Sequence, residues 1–505
     1  MVYTLFTVSF QGIQAILVEV QVQFASGSLP GLNIVGLPDR AVNEAKERVR
    51  SALQSIGIGF PCKRITINLS PANILKEGSH YDLPLVLGML MGLEILPPEL
   101  KNTISLGELS LDGSIKPVAG VLSSALLAAS LGKTLICPGI CGPEARWGGE
   151  FSILAPYHLL ELVNHFKGTQ ILSVPEPILD PLDTPIEHFG LIHGQVHAKL
   201  GLIISVSGGH NALMIGPPGT GKSLLAKSAM SLLDPLSPKE ALEVTMIHSL
   251  AGVLKEGKGL MRQRPFRAPH HSASMASMVG GGLKGTPGEI SMAHQGILFL
   301  DELPEFSRNV LDALRQSMET RQAVVSRANY HVTYPADFQF LSAMNPCKCG
   351  YLGKNSKECR QAPECGNRYQ QNLSGPLLDR IDLFMNVSDI DFKAFPETTP
   401  FDNLQHTRQL VRCAKHRQEV RYQGKLFQCN AQCPSNVLDQ ILDNNQDSKH
   451  MLLKAADRFD FSMRGFYRVA RVAQTIADLD QSEHITTLHM GQALSYRVEQ
   501  SPKKR

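Results

Sequence analysis

The chain has 505 residues, 43% hydrophobic and 19% charged, with 49 Lys and Arg against 46 Asp and Glu for a net charge of +3. At about 150 residues per domain this is enough for roughly three domains with sizeable cores. The composition excludes a collagen-like fibre, a disulfide-stapled miniprotein and a charged disordered tail. It does not exclude a nucleic-acid motor, whose charge is local.

Residues 1–16 hold no Lys or Arg, so no secretory signal is expected there. The longest apolar run, Asp82 to Pro98, contains Glu94 and three prolines and reads as a buried helix, too short to span a bilayer. A cytoplasmic protein with no membrane partner is expected.

Residues 1–172 alternate β-like runs with helical ones, an α+β pattern. The β-like runs are Ala15–Phe24, Arg64–Ser70, Ile104–Leu109 and Thr134–Pro138, and the helical ones Asp39–Gly57, Leu83–Ile95 and Leu122–Ser130. Residues 173–187 hold four prolines with several acids and read as a linker. A second domain is expected over 188–390. Residues 391–505 begin with a Pro-containing stretch and are then helical, with runs at Leu404–Val420, Ser435–Asp443, Lys449–Phe459, Met463–Leu479 and Thr486–Val498.

The strongest signal lies in the middle domain. An apolar strand, Ala212–Ile215, feeds Gly216-Pro217-Pro218-Gly219-Thr220-Gly221-Lys222-Ser223, and a helix follows. Glycines let backbone N–H groups curl around a phosphate, and the helix N-terminus adds partial positive charge. Lys222 then reaches the β- and γ-phosphates of ATP, and Ser223 takes a Mg²⁺ position. A second apolar strand, Gly296–Leu300, ends in Asp301-Glu302. Asp301 is the expected second Mg²⁺ residue, and Glu302 the group that polarises attacking water. A third strand, Phe338–Ala343, leads to Asn345, which either orients the water or only shapes a turn before Pro346.

Two arginines suit a γ-phosphate that develops charge. Arg380 lies in GPLLDRIDLF and Arg464 opens FSMRGFYRVARVAQ. The same residues equally fit a local ion pair of Arg380 with Asp379 or Asp382, and a surface position for Arg464. Four of the ten cysteines (Cys347, Cys349, Cys359, Cys365) fall within nineteen residues, spaced C-x-C-x₉-C-x₅-C. Four thiolates suit a closed tetrahedral Zn²⁺ site, although the first spacing is tighter than usual. Reduced cysteines in a basic loop are the alternative.

Local charge marks where nucleic acid would sit. Residues 401–505 carry 16 Lys and Arg against 11 Asp and Glu. Arg408, Arg412 and Lys415 fall on one helical face, which either tracks phosphates or is simply solvated. The interval between Lys222 and Asp301 is 79 residues, long for two strands of one sheet. A mobile basic insert is expected at about 255–290, carrying Arg262, Arg264, Arg267 and Lys284. His270 and His271 lie in it with no third metal ligand at close spacing, so they read as structural or facing DNA. RQAVVSRANYHVTYP, residues 321–335, reads as two β runs joined at a turn.

GPPGTGKS, ILFLDE, AMNPC and LLDRIDL together resemble the AAA+ ATPases of the magnesium-chelatase-like branch, and within it the YifB/ComM group. GLPDRAVNEAKERVRSAL, FRAPHHSASMASMVGGG and GEISMAHQGILFLDELPEF agree, and the resemblance covers about residues 5–498. It implies an α/β AAA+ P-loop core, a first domain of the Lon-protease (ribosomal S5) type and a C-terminal helical lid. It implies a homo-hexameric ring that hydrolyses ATP and moves on single-stranded, double-stranded or branched DNA. Branch migration in natural transformation, with recombination proteins as partners, follows from the same resemblance. Arg380 would be an arginine finger given in trans and Arg464 a second sensor in cis, while Gln195 would border the adenine. The hairpin before the Asn345 strand would point into the ring channel, bringing Arg327 and His331 to the DNA backbone. Arg267 and Lys284 are further contact candidates.

The Lon-like domain carries no Ser–Lys dyad at the matching places. Gly78-Ser79-His80-Tyr81-Asp82 lacks the Ser-Ala-Gly pattern, and Gly120-Val121-Leu122-Ser123 lacks the lysine. A scaffold role is therefore expected rather than proteolysis through Ser79. The competing function is a chelatase-like ATPase that remodels a metal-insertion partner. Chelatase ATPases share the core, and the expectation is that they lack the first domain.

Overall fold

A computed structural model describes residues 2–25, 30–179, 189–190, 192, 194–254, 259–281, 285–327, 330–350, 352, 363–388 and 401–498. Part of the expected linker, Lys284, Cys359 and residues 391–400 lie outside these.

In the first domain Val2–Gln11 and Gln14–Ala25 form an antiparallel hairpin at the centre of a seven-stranded sheet. The alternating burial of Gln14–Ala25 is that of a sheet with one face on a core. The apolar stretch forms the helix Asp82–Gly92, buried from Asp82 to Met91 and packed against that hairpin. Gly88 and Gly92 are required there, since a Cβ would meet Val22 at 2.5 Å and Phe24 at 2.0 Å. No helix among the described residues is long and apolar enough to cross a membrane.

The middle domain is built on a five-stranded parallel sheet. Its order is Phe266–Arg267, Ile297–Leu300, Gln339–Met344, Ala212–Ile215, Leu383–Asn386. Ala212–Ile215 and Ile297–Leu300 are wholly buried and apolar, as parallel strands covered on both faces must be. All five strands point the same way, so the loops at their carboxyl ends converge on one edge.

The expected insert is partly sheet. Phe266–Arg267 is the edge strand of the core, followed by the short helix Met275–Val279 and the two-stranded piece Gly280–Gly281 and Thr286–Pro287. The second hairpin, Gln322–Arg327 paired with Tyr330–Pro335, forms as expected. It is held between the domains: Tyr334 donates to the carbonyl of Gly285 at 2.7 Å, and Gly12 of the first domain sits against the Thr333 carbonyl.

The C-terminal helices Leu404–Arg421, Ser435–Asp443, Gln446–Phe459, Met463–Leu479 and Thr487–Val498 share one apolar core with the sheet and with the helix Val196–Gly208. The first domain meets the core through a polar clasp. The buried carboxylate of Glu144 accepts from Leu122 N at 3.1 Å and Ser249 Oγ at 2.7 Å, and that hydroxyl accepts from Gly120 N at 3.0 Å. A cavity of about 480 Å³ lies beside this junction, lined by Phe10, Ser79 and His80 on one side and Leu250, Val332 and Tyr334 on the other. Part of the expected linker also bridges the two bodies, with Ile178 accepting from Trp147 Nε1 at 2.9 Å and from Leu260 N at 3.2 Å.

Candidate active site

The loop 216–223 follows Ile215 at the carboxyl edge of the sheet. Gly216 must be glycine, since a Cβ would stand 2.1 Å from the Val387 carbonyl oxygen. Gly219 and Gly221 adopt φ of 81° and 85°, the left-handed region that side chains avoid. Gly221 caps the helix Lys222–Ser228. Lys222 is folded onto its own loop, donating to the carbonyls of Gly216 at 2.8 Å and Pro217 at 2.7 Å and to Asn345 Oδ1 at 3.2 Å. Burial pushes the Lys222 ammonium down, and Asp301 and Glu302 partly oppose this. Thr220 closes the loop by donating to Pro217 O at 3.0 Å.

Asp301 leaves the sheet beside the loop. Its carboxylate accepts from Ser223 Oγ at 2.6 Å and from Glu302 N at 2.9 Å. Glu302 takes φ of 52°, and its half-exposed carboxylate lies 3.2 Å from His271 Nδ1. Lys222, Ser223, Asp301, Glu302 and Asn345 thus come from three neighbouring strands onto one edge. These donors and acceptors suit a Mg–nucleotide complex: a lysine holding only carbonyls that phosphate can replace, and a hydroxyl and carboxylate converging at 2.6 Å. Gln195 starts the helix Val196–Gly208 with φ of 53° and donates to Ser388 O at 2.5 Å, just past the carboxyl end of the neighbouring strand. That is the same edge, at the loop's flank.

The arginines lie elsewhere. Leu383–Asn386 runs in register with Ala212–Ile215, so residues before Leu383 sit at the amino edge. Arg380 is buried there, donating to Pro376 O at 2.7 Å and forming a close ion pair with Glu319. Arg380 and the nearby Arg464 hold the Glu319 carboxyl below its usual range, the hydrogen bond from Arg380 being the larger influence. One turn after Arg464, Arg468 pairs with Asp382. Through Glu319 and Arg468, Arg464 is placed on the Arg380 side of the sheet. A four-residue strand, about 13 Å long, separates it from the Lys222 edge of its own chain, and it shares its edge with Arg380.

Several basic candidates are engaged within the chain. Arg267 forms a two-pronged pair with Glu289 at 2.6 and 2.7 Å, and Arg264 pairs with Glu240 at 3.1 Å and donates to Gln295 O at 2.8 Å. Arg408 donates to Ser231 O at 2.5 Å and Arg412 to Asp234 at 2.7 Å. Lys415 is half-buried on the same face, and burial lowers its ammonium. Arg264 and Arg267 are thus engaged within the middle domain, and Arg408 and Arg412 join the C-terminal helices to it. Arg327 and His331 fall at the end of the hairpin.

Sulfur atoms of Cys347, Cys349 and Cys365 lie within 4.8 Å of one another. Their loop rests on the phosphate loop, since a Cβ on Gly350 would meet Pro218 at 2.5 Å. In the first domain Ser79 donates to the Glu108 carboxylate, and buried Lys76 donates to the Pro71 carbonyl.

Two partners were not legible as such. Glu319 is an ordinary helix-end acid in sequence. His271 had a signal: Arg267 pairs with Leu298, so parallel register brings the residue four past Arg267 level with Glu302, four past Leu298.

Family descriptions agree with this geometry. "Magnesium chelatase, subunit ChlI" matches residues 188–395, "Subunit ChlI of Mg-chelatase" matches 18–139, and "Magnesium chelatase, subunit ChlI C-terminal" matches 403–497. The chain is 42% identical to the uncharacterized protein YifB of Escherichia coli over 491 residues, covering 96% of this chain and 95% of that one. It is 38% identical to competence protein ComM of Haemophilus influenzae over 498 residues, 96% of each. The magnesium-chelatase subunit ChlI of Nicotiana tabacum is 26% identical over 194 residues, 34% of this chain and 45% of that one. With the phosphate loop, the Asp-Glu strand and the helical C-terminus in place, the chain belongs to the YifB/ComM group of magnesium-chelatase-like AAA+ ATPases.

Proposed function

We propose that this chain is the subunit of a hexameric ATP-driven DNA motor that promotes branch migration of recombination intermediates during natural transformation. The observation that carries this reading is the identity to competence protein ComM over nearly all of both chains, joined to a complete hydrolytic set on one sheet edge. Lys222 releases its loop carbonyls to hold the β- and γ-phosphates, and Ser223 and Asp301 hold Mg²⁺. The ion, when bound, draws charge from the phosphates. Glu302 polarises the water, Asn345 orients it, and Gln195 borders the base.

Arg380 and Arg464 share the opposite edge, so both serve the nucleotide of a neighbouring subunit in a ring. Arg380 leaves Glu319 to do so. The hairpin bearing Arg327 and His331 faces the DNA backbone, and Lys284 remains a further candidate contact. Contacts to phosphate give little sequence preference. Zinc on the cysteine cluster would pin the loop against the phosphate loop, and metal analysis should find about one zinc per chain. The first domain, a Lon-like scaffold, docks recombination proteins. Cytoplasm is the compartment where such substrates lie.

The test is ATP turnover with and without DNA, followed by branch migration on a synthetic four-way junction. DNA should raise turnover, and Lys222→Ala should abolish both activities. If DNA neither binds nor raises turnover, the motor reading fails. Remodelling of a protein or metal-insertion partner, favoured by the chelatase-subunit matches, then takes its place.

A further inference from the structure

We infer that Cys347, Cys349 and Cys365 hold a zinc ion that positions the ATPase site. The ion fastens the helix Glu364–Gln370, and through Gln370 and Asn372 that segment sets the backbone after Asn345 and after Glu302. ATP turnover then depends on the metal. This rests on the proposed ATPase reading and adds to it two positioning residues and a dependence on zinc.

The sulfur geometry is that of a metal site. Thiolates held at about 2.3 Å around one tetrahedral zinc stand about 3.8 Å from each other. Here Cys347 Sγ and Cys349 Sγ are 3.1 Å apart, and all three sulfurs lie within 4.8 Å of one another. None of the three is in a disulfide. Soft thiolates select zinc over the hard Mg²⁺ of the nucleotide site. Cys347 is buried, Cys365 half-buried and Cys349 exposed, so an ion there has a protein side and a face open to a fourth donor.

The helix that carries Cys365 needs such an attachment. It has seven residues, of which only Gly366 and Tyr369 are buried. A helix this short is unstable alone, and here little apolar surface fastens it. A metal bond from Cys365 to two cysteines just past the Asn345 strand supplies the missing tie.

What the segment touches is the catalytic edge. Gln370 Nε2 donates at 3.3 Å to Pro346 O, the carbonyl directly after Asn345. Asn372 Nδ2 donates at 3.0 Å to Pro304 O, shortly after Glu302. Gly366 packs on the same Pro346 carbonyl, where a Cβ would stand 3.3 Å from the oxygen. On the other side of the cluster the Gly350 N–H closes a turn onto Cys347 O at 2.9 Å, and Gly350 abuts Pro218 of the phosphate loop. One ion thus ties together the phosphate loop, the end of the Asn345 strand and the turn after Asp301-Glu302. Gln370 and Asn372 act through the carbonyls they hold, and small misplacements of catalytic groups are costly in rate.

The experiment uses the full chain. Zinc is measured in native protein, Cys349→Ser, Cys365→Ser and a control, Cys62→Ser, which changes an exposed cysteine of the first domain. ATP turnover is followed in excess Mg²⁺. Native protein and the control should carry about one zinc per chain. The two cluster variants should carry less than about a tenth of that and lose about tenfold in kcat, with KM for ATP unchanged. Native protein stripped of zinc should show the same loss and regain its turnover when zinc alone is returned. Cobalt in place of zinc should give the intense absorption of tetrahedral, thiolate-bound cobalt. Gln370→Ala combined with Asn372→Ala should lower kcat about fivefold at native zinc content.

Native protein that binds no zinc overturns the inference, and so does iron in its place. A zinc-free native chain that turns over ATP at the native rate also overturns it, as does a double variant with native kcat. Should the serine variants fail to fold, removal and return of zinc on the native chain decides, since no side chain is changed. If the zinc-loaded native chain hydrolyses no ATP, the ATPase reading fails and the positioning role falls with it, while zinc content and the cobalt spectrum still establish or refute the metal site.

Discussion

The two edges of the five-stranded sheet are built on opposite plans. At the carboxyl edge, beside the buried Lys222, the acids and the serine are partly exposed and each has few partners: Ser223 on Asp301, Asp301 on the Glu302 N–H, Glu302 on His271. At the amino edge they are buried and shared. Asp382 takes Arg468, lies 3.8 Å from His210 Nδ1, and accepts the Asn211 N–H at 3.0 Å. His210 Nε2 continues to Thr475 at 2.7 Å, Thr475 to Asn430 at 2.9 Å, and Asn430 to Asp478, which Arg421 closes. The first edge consists of contacts that a nucleotide can replace. The second ties the C-terminal helices to the core through a buried network on the side that bears Arg380.

That contrast predicts opposite phenotypes for two aspartates. Asp301→Asn removes a charge from the exposed edge, and ATP turnover should fall on the order of a hundredfold. Its thermal midpoint should stay within about 2 °C of native, because nothing buried loses its partner. A large fall in midpoint would mean that the nucleotide edge is also structural and would remove the contrast.

Asp382→Asn is the converse. Arg468 would be left beside a neutral amide, and a broken buried pair costs about 3 kcal/mol. Burial alone would push the Asp382 carboxyl up. Arg468, His210 and the Asn211 N–H outweigh it and hold the group well below the usual carboxylate range. A group depressed in the folded state contributes stability above its unfolded pKa of about 3.9. That contribution is lost as pH falls further, through the folded value. Denaturant melts should show native protein weakening below about pH 4 more steeply than the Asp382→Asn variant. Equal slopes would show that another carboxylate governs acid unfolding.

The difference between the edges also explains what was legible in the sequence. The carboxyl edge is written locally: Gly216–Ser223 is one continuous loop, and Asp301-Glu302 ends one apolar run, so strand, turn and chemistry lie within a few residues. The helix Asp82–Gly92 and the hairpin 322–335 were legible for the same reason. The amino edge is written in distant segments. Nothing near Arg380 announces Glu319, 61 residues earlier, and nothing near Arg464 says that its helix packs at the foot of the sheet. An arginine's role depends on which end of a parallel strand it flanks, and that requires register. Charge misled in the same way. Arg264, Arg267, Arg408 and Arg412 form a basic pattern along the chain, yet each finds a carboxylate or carbonyl of the same chain once folded.

Arg412 offers the smallest effect and the sharpest check on that last point. Its guanidinium is 61% exposed while paired with Asp234 at 2.7 Å. An exposed pair of this kind contributes only about 0.5 kcal/mol, so Arg412→Ala should barely move a denaturant midpoint. As a phosphate-tracking residue it would instead lower the salt dependence of DNA affinity by about one charge. With the pair engaged between lid helix and core, the log–log salt slope should match the native protein's. A reduced slope would return the Arg408–Lys415 face to the DNA-binding surface and leave the lid held to the core by its buried network alone.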